Sequence, residues 1–234
     1  MARVWKRTLA AAALAAQAIL PAAPLDRAVP GASAQTPRAP SEAVEPAAPL
    51  LARLRERLEE RRAFRSSFLQ LSYWAAFDEA DTSSGTLSVA PPDRFRLEYE
   101  QPAGHLIGSD GRFVWTTLPE DRQVLRAQIE ETTNWGRFFY EGLGQAADSL
   151  APVVRDPARG RIARIALAGR PEWGASEIYV EVAEESGLPV GYGYTDEEGN
   201  RFRFLFHNPA FVSALAESLF RFGIPEGYEL FEVD

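Results

Sequence analysis

The 234-residue chain contains no cysteine. Disulfide frameworks, thiolate metal sites, redox pairs and thiol nucleophiles are all excluded by that one absence. Histidine is nearly missing: His105 and His207 are the only two, which leaves little for zinc or triad chemistry. Each flanks a strand-like run and reads as an edge or turn residue that hydrogen bonds. Lysine occurs once, at Lys6, and every other base is arginine. Positive charge is in deficit, with 25 basic against 33 acidic residues and a formal charge of −8. That is the wrong sign for a protein that neutralises phosphates, so nucleic acid is not an expected partner.

Catalytic motifs are missing too, since no G-x-S-x-G, P-loop or H-E-x-x-H occurs. Gly142-Leu143-Gly144-Gln145-Ala146-Ala147 matches G-x-G-x-x-A but follows an aromatic helical run instead of a strand, so it is not read as a dinucleotide site. Asp196 to Asn200 lacks the ligand spacing and closing Glu of a calcium loop and reads as a solvated hairpin turn. An enzyme would have to work through carboxylate pairs such as Glu184-Glu185 or Asp196-Glu197, and these fall in turns. No enzymatic activity, no metal and no cofactor are expected.

What is present begins with an export signal. Arg3, Lys6 and Arg7 precede an Ala-rich apolar run from Leu9 to Leu20, too short to span a bilayer and of h-region length. Ala32-Ser33-Ala34 fits cleavage before Gln35 better than the alternative after Ala23. Residues 1–34 are therefore expected to be removed, taking four bases and one acid and leaving the charge of −8 at about −11. No other segment approaches the ~18 apolar residues of a membrane helix, so the mature chain is expected to be soluble outside the cytoplasm. With no Cys to acylate, it is not expected to be a lipoprotein itself. Residues 35–48, rich in Pro and Ala, read as an extended linker before one folded domain, 49–234.

Leu50, Leu51, Leu54, Leu58 and Phe64 lie at helical spacing among Arg and Glu and predict an amphipathic helix of about four turns. From Ser66 the period becomes two. Phe95, Leu97 and Tyr99 alternate with charge, Ile178, Val180 and Val182 alternate with Glu177, Tyr179 and Glu181, and Phe202, Phe204 and Phe206 stand at alternate positions of a third run. Further strands are predicted at Ser67 to Phe77, Gly85 to Ala90, His105 to Ser109, Arg112 to Leu118, Gln123 to Arg126, Arg161 to Leu167 and Val190 to Thr195. Turn residues separate them. From Glu130 to Val154, Trp135, Phe138, Phe139 and Leu143 recur at helical spacing and predict one or two short helices. About ten strands with two helical excursions give a mainly β fold (α+β): a single curved antiparallel sheet, closed or half closed, with helices over its open side. Twenty-five aromatics remain after Trp5 is removed with the signal. A curled sheet encloses more than two short helices fill, so an apolar cavity suited to lipid is expected beside an ordinary core.

The order of motifs resembles the periplasmic outer-membrane lipoprotein carrier family, LolA. The residues that carry the resemblance are Phe68-Leu69-Gln70, Gly85-Thr86-Leu87, and Pro92-Asp93-Arg94-Phe95-Arg96-Leu97 through Pro102. Ser109-Asp110-Gly111 with Val114-Trp115 follows, then the closing stretch from Phe220 to Glu229. The resemblance implies an unclosed half-barrel covered by short helices, whose concave apolar face holds the acyl chains of lipoproteins. It implies cargo taken from an inner-membrane ATP-driven exporter and passed to an outer-membrane receptor, in the periplasm, by what is expected to be a monomer. Phe95 matches the family's Phe for cargo and exporter contact, and Trp115 matches the Trp after S-D-G. Leu87, Val89, Leu97, Trp135, Phe138 and Phe139 complete the expected lipid-binding set from period and position. Pro91 stands where many members carry an Arg implied to latch the lid, and Leu97 replaces the family's Trp. The alternative reading is a lipid or lipoprotein sensor of the same fold without transport.

Overall fold

The computed structural model describes residues 48–60, 63–129, 153–155, 162–167 and 175–233. Helix α1 spans Ala48–Glu59. Leu50 and Leu54, four residues apart, share one helix face and are buried. Among the described residues twelve strands follow: β1 Ala63–Trp74, β2 Glu79–Ala90, β3 Arg94–Gln101, β4 Leu106–Asp110, β5 Phe113–Leu118, β6 Gln123–Gln128, β7 Val153–Arg155, β8 Ile162–Leu167, β9 Ala175–Ala183, β10 Pro189–Asp196, β11 Arg201–Val212 and β12 Glu229–Val233. They form one sheet in the order β12-β6-β5-β4-β3-β2-β1-β11-β10-β9-β8-β7. Hairpins run outward from β1 on one side, and β11 to β7 run outward on the other. The seam between the halves is the long β1–β11 pair, with Phe68 opposite Phe206 and Gln70 opposite Phe204. Among the described strands only β12 is parallel to its neighbour, β6.

Pro209 sits in β11, where a missing N–H would break a ladder. The register shifts there: Arg65 to Ser67 on β1 faces His207 to Ala210 on β11, a bulge that leaves Pro209 out of the ladder. Asn208 takes φ 54°, a left-handed conformation that Asn tolerates. The hairpin turn read at Asp196 to Asn200 is present. The Asp196 carboxylate accepts from the Asn200 backbone N–H at 2.8 Å and from its side chain at 2.9 Å.

Four expectations are corrected. Phe64 belongs to β1, not to the helix, which ends at Glu59. β2 begins at Glu79, six residues before the alternation starts, because its exposed first half is formed by pairing with β1 and carries no apolar period. Val153–Arg155 is strand, so the helical reading does not reach Val154. The rest of that reading, including the G-x-G-x-x-A stretch, lies outside the described residues. β12 was not expected; its Leu230, Phe231 and Val233 show no clean alternation because it is an edge strand with neither face buried.

Strand parity sorts the sheet into two faces. The inner face, under α1, holds Phe64, Phe68, Leu87, Val89, Phe95, Leu97, Ile107 and Val114 on one side of the seam and Phe202, Phe204, Tyr192, Tyr194, Val180 and Ile165 on the other, in one buried cluster with Leu50 and Leu54. The outer face carries most of the charged strand residues and the C-terminal segment, which crosses it from β11 to β12.

Candidate functional site

The inner face is an aromatic belt flanked by aliphatics. Phe64 meets Phe206 at 5.7 Å and Phe211 at 5.4 Å between ring centroids, both edge to face. Phe68 meets Tyr99 at 5.3 Å and Phe204 at 5.6 Å. Tyr194 stacks on Phe202 at 4.8 Å, and Trp74 meets the same Phe202 edge to face at 5.4 Å. Rings in such arrangements contribute about 0.5–1.5 kcal/mol each beyond area burial. Burial pushes the Tyr192 and Tyr194 hydroxyls well above their ordinary range, so they stay neutral donors on this face.

The family-like motifs have physical roles here. In Phe68-Leu69-Gln70, Phe68 and Gln70 point inward. Gln70 accepts from the Tyr99 hydroxyl at 2.8 Å and donates to Ser72 Oγ at 3.0 Å, so the buried amide is satisfied. In Ser109-Asp110-Gly111, the Asp110 carboxylate accepts from the backbone N–H groups of Arg112 and Phe113, both at 2.8 Å, and from the Trp115 indole N–H at 2.9 Å. The turn and the Trp are thus one unit. Of the expected lipid-facing residues, Leu87, Val89, Phe95 and Leu97 come together in the inner cluster, each almost fully buried. Val89 pairs with Phe95 and Leu87 with Leu97 across β2 and β3. Trp135, Phe138 and Phe139 lie outside the described residues.

Trp115 stands apart from the four in the inner cluster. Its neighbour Val114 faces inward, so parity turns Trp115 to the outer face, where Phe222 stacks on it at 6.2 Å with 22° between ring planes and the Arg126 guanidinium lies 5.1 Å from its centroid. A Cβ on Gly108 would stand 2.3 Å from the Phe222 ring, so this β4 position must lack a side chain for the ring to lie there. Arg94 and Arg96, beside Pro91, also turn outward. Arg94 reaches Glu217 at 3.3 Å and lies over Phe220, and Arg96 donates to the Leu219 carbonyl and covers Phe222. They hold the C-terminal segment and do not reach the inner face. A cleft of about 260 Å³ lies under that segment, lined by Arg96, Trp115, Val124 and Phe222 among others.

His105 is buried, with Nε2 2.9 Å from Glu120 Oε1. Partial burial alone would raise the Glu120 carboxyl, but a backbone hydrogen bond and His105 together hold it below the usual glutamate value. His207 is exposed, and its carbonyl accepts from Ser66 Oγ at 2.9 Å. Among the described residues no group of His, Asp and Glu is arranged to hold a metal ion, and no helix is long and apolar enough to cross a membrane. Sequence reasoning left Phe64, Phe68, Tyr99, Tyr192, Tyr194 and the Phe202, Phe204, Phe206 row out of the candidate set. The period-two signal was visible for most of them. What was hidden was that β1 and β11, far apart in sequence, pair and place those rings beside Leu87 and Leu97.

An open, mostly antiparallel sheet with a largely apolar inner face is the class of fold that these observations define. The family model described as outer membrane lipoprotein carrier protein LolA matches residues 59–223, and the chain belongs to that family. The outer-membrane lipoprotein carrier protein of Glaesserella parasuis serovar 5 (strain SH0165) is 24% identical over 180 residues, covering 77% of this chain and 84% of that protein. The protein of the same description from Vibrio cholerae serotype O1 (strain ATCC 39541 / Classical Ogawa 395 / O395) is 25% identical over 191 residues, covering 76% and 87%. Among solved structures, the LolA superfamily protein NE2245 from Nitrosomonas europaea aligns with a TM-score of 0.40 at 10% identity, covering 76% of this chain and 98% of that one.

Proposed function

We propose that this chain is a periplasmic chaperone that binds the acyl chains of lipoproteins and delivers them from the inner to the outer membrane. It takes them from an ATP-driven exporter and hands them to an outer-membrane receptor. Residues 1–34 act as the cleaved signal and 35–48 as the linker ahead of the domain. One observation carries this reading in a chain of this family. The described inner face is lined from β5 to β8 mainly by aromatic and aliphatic side chains; its buried polar residues, such as Gln70, Ser72, Ser109 and Thr116, are small or amide groups, and none of its buried residues is an Asp, Glu, Lys or Arg. Each methylene kept from water is worth about 0.8 kcal/mol, so such a lining holds acyl chains without a covalent bond. Release then needs only a partner that offers a better apolar surface or favours an emptied conformation. Leu87, Val89, Phe95 and Leu97 are the proposed acyl contacts.

The test is to incubate the mature chain with membrane vesicles that hold acylated lipoprotein and an energised exporter, then analyse the soluble fraction by mass spectrometry. Intact lipoprotein in a one-to-one complex with the chain is the expected result. Free phospholipid or no lipid would overturn the transport reading.

A further inference from the structure

The most exposed large apolar side chain among the described residues is Phe77, at 73%, on the tip of the β1–β2 hairpin. Phe77 is not on a loose loop. Its N–H donates to the Trp74 carbonyl at 3.2 Å, and the Tyr73 hydroxyl donates to Asp78 Oδ1 at 2.9 Å. The Trp74 indole N–H donates to Asp81 Oδ2 at 2.7 Å, and Arg201 covers the Tyr73 ring at 4.3 Å. The β10–β11 turn is tied to the same tip, since the Ala75 N–H donates to Asn200 Oδ1 at 3.0 Å. The two tied turns and the strand ends beside them carry the exposed acids Asp78, Glu79, Asp81, Glu197 and Glu198 at the same end of the sheet as Phe77, with Arg201 the only base beside them. Among the described residues Glu79, Glu197 and Glu198 form no ion pair.

We propose that this end of the sheet is a docking surface for a protein that presents an apolar pocket rimmed by arginine or lysine. That the partner is membrane-borne rests on the carrier reading above. An aromatic on a turn whose backbone is already held costs less ordering on binding, and an exposed aromatic near charged residues has the makings of an interface hot spot. The acidic patch adds steering toward a basic surface. It also argues against a lipid surface as the occupant, because seating Phe77 at headgroup depth would press Asp78, Glu79 and Asp81 against anionic lipid. Glu79 lies ten residues along β2 from Val89, the partner of Phe95, or about 30 Å at strand rise, so a protein docked here leaves the Phe95 end open.

The test is sedimentation of the mature chain with vesicles of its native membranes, before and after protease shaving, and with protein-free phosphatidylethanolamine/phosphatidylglycerol vesicles. Binding of a fluorescent diacyl lipopeptide is measured in parallel. Binding to native vesicles is expected to vanish on shaving and to weaken about tenfold in Phe77→Ser. Combined Glu79→Gln, Glu197→Gln and Glu198→Gln should weaken it further and flatten its salt dependence. Both variants should bind the lipopeptide as the parent does. Unchanged sedimentation of the variants, equal binding to protein-free vesicles, or no binding to native vesicles would overturn the docking surface. Loss of lipopeptide binding by the parent chain would instead strike at the carrier reading.

Discussion

The two faces of the sheet use the same aromatic residue types in opposite ways. On the inner face rings pack on rings, as in Phe64 with Phe206 and Tyr194 with Phe202. On the outer face rings lie under guanidinium groups: Arg96 over Phe222, Arg126 over Phe113 at 4.6 Å, Arg164 over Tyr179 at 4.2 Å. The outer face even buries a carboxylate, with Glu181 at 2% exposure accepting from Arg164 and Arg203, both at 2.8 Å. The lesson is that aromatic content does not locate a lipid face. An aromatic that offers both surfaces to apolar neighbours can be exchanged for an acyl chain, whereas a ring under a cation is committed to a polar surface.

This difference is breakable by mutation, and the largest effect is expected at the belt's centre. Phe204→Ala should cost about 3–5 kcal/mol in urea denaturation, because it leaves a void between Phe68 and Tyr192 that the sheet cannot close. It should also lower the number of acyl chains bound. A cost no larger than that of Phe222→Ala would erase the contrast between the faces. Next in size is Gly108→Ala, expected at about 1–3 kcal/mol, since the new methyl group and the Phe222 ring cannot share their place. Phe222 should leave Trp115, which a shift in tryptophan emission would report, while lipopeptide binding should persist.

Much of the inner face was legible in the sequence, because alternation over Phe95 to Tyr99 and Phe202 to Phe206 survives in β3 and β11 with the expected side inward. The face of Trp115 was not legible. A motif gives the spacing from Asp110 but not the parity relative to the cluster, and parity is fixed only by which residues of β4 and β6 stand opposite. Nor was the outer crossing legible. Phe220 to Glu229 was visible as a motif, but its position over Arg94, Arg96 and Trp115 follows from the parallel pairing of β12 with β6, a contact between residues more than 100 positions apart. Hairpins can be read locally, whereas a crossover cannot.

Smaller effects sharpen the contrast. Trp115→Leu removes the stacked partner of Phe222 and the hydrogen bond to Asp110 and should cost about 1–2 kcal/mol, consistent with losing one partly buried aromatic contact and one bond to a charged acceptor. Lipopeptide affinity should be unchanged. A fall in affinity comparable to that of Phe204→Ala would instead support Trp115 as a lipid contact.

The smallest effect lies at the border between the faces, where His105 on the inner side reaches Glu120, whose side chain is 42% exposed. The Glu120 carboxyl is held below the ordinary glutamate value of 4.5, so its contribution is present above that value and is lost as pH falls through the lower folded one. Solvent screening at such exposure keeps the contribution under about 1 kcal/mol. The urea midpoint of the parent should therefore exceed that of Glu120→Gln at pH 6 to 7, and the gap should close as the pH is lowered toward 3. A gap that stays constant over this range would mean that the pair acts through shape alone, and that the rim joining the two faces is held by contact and not by charge.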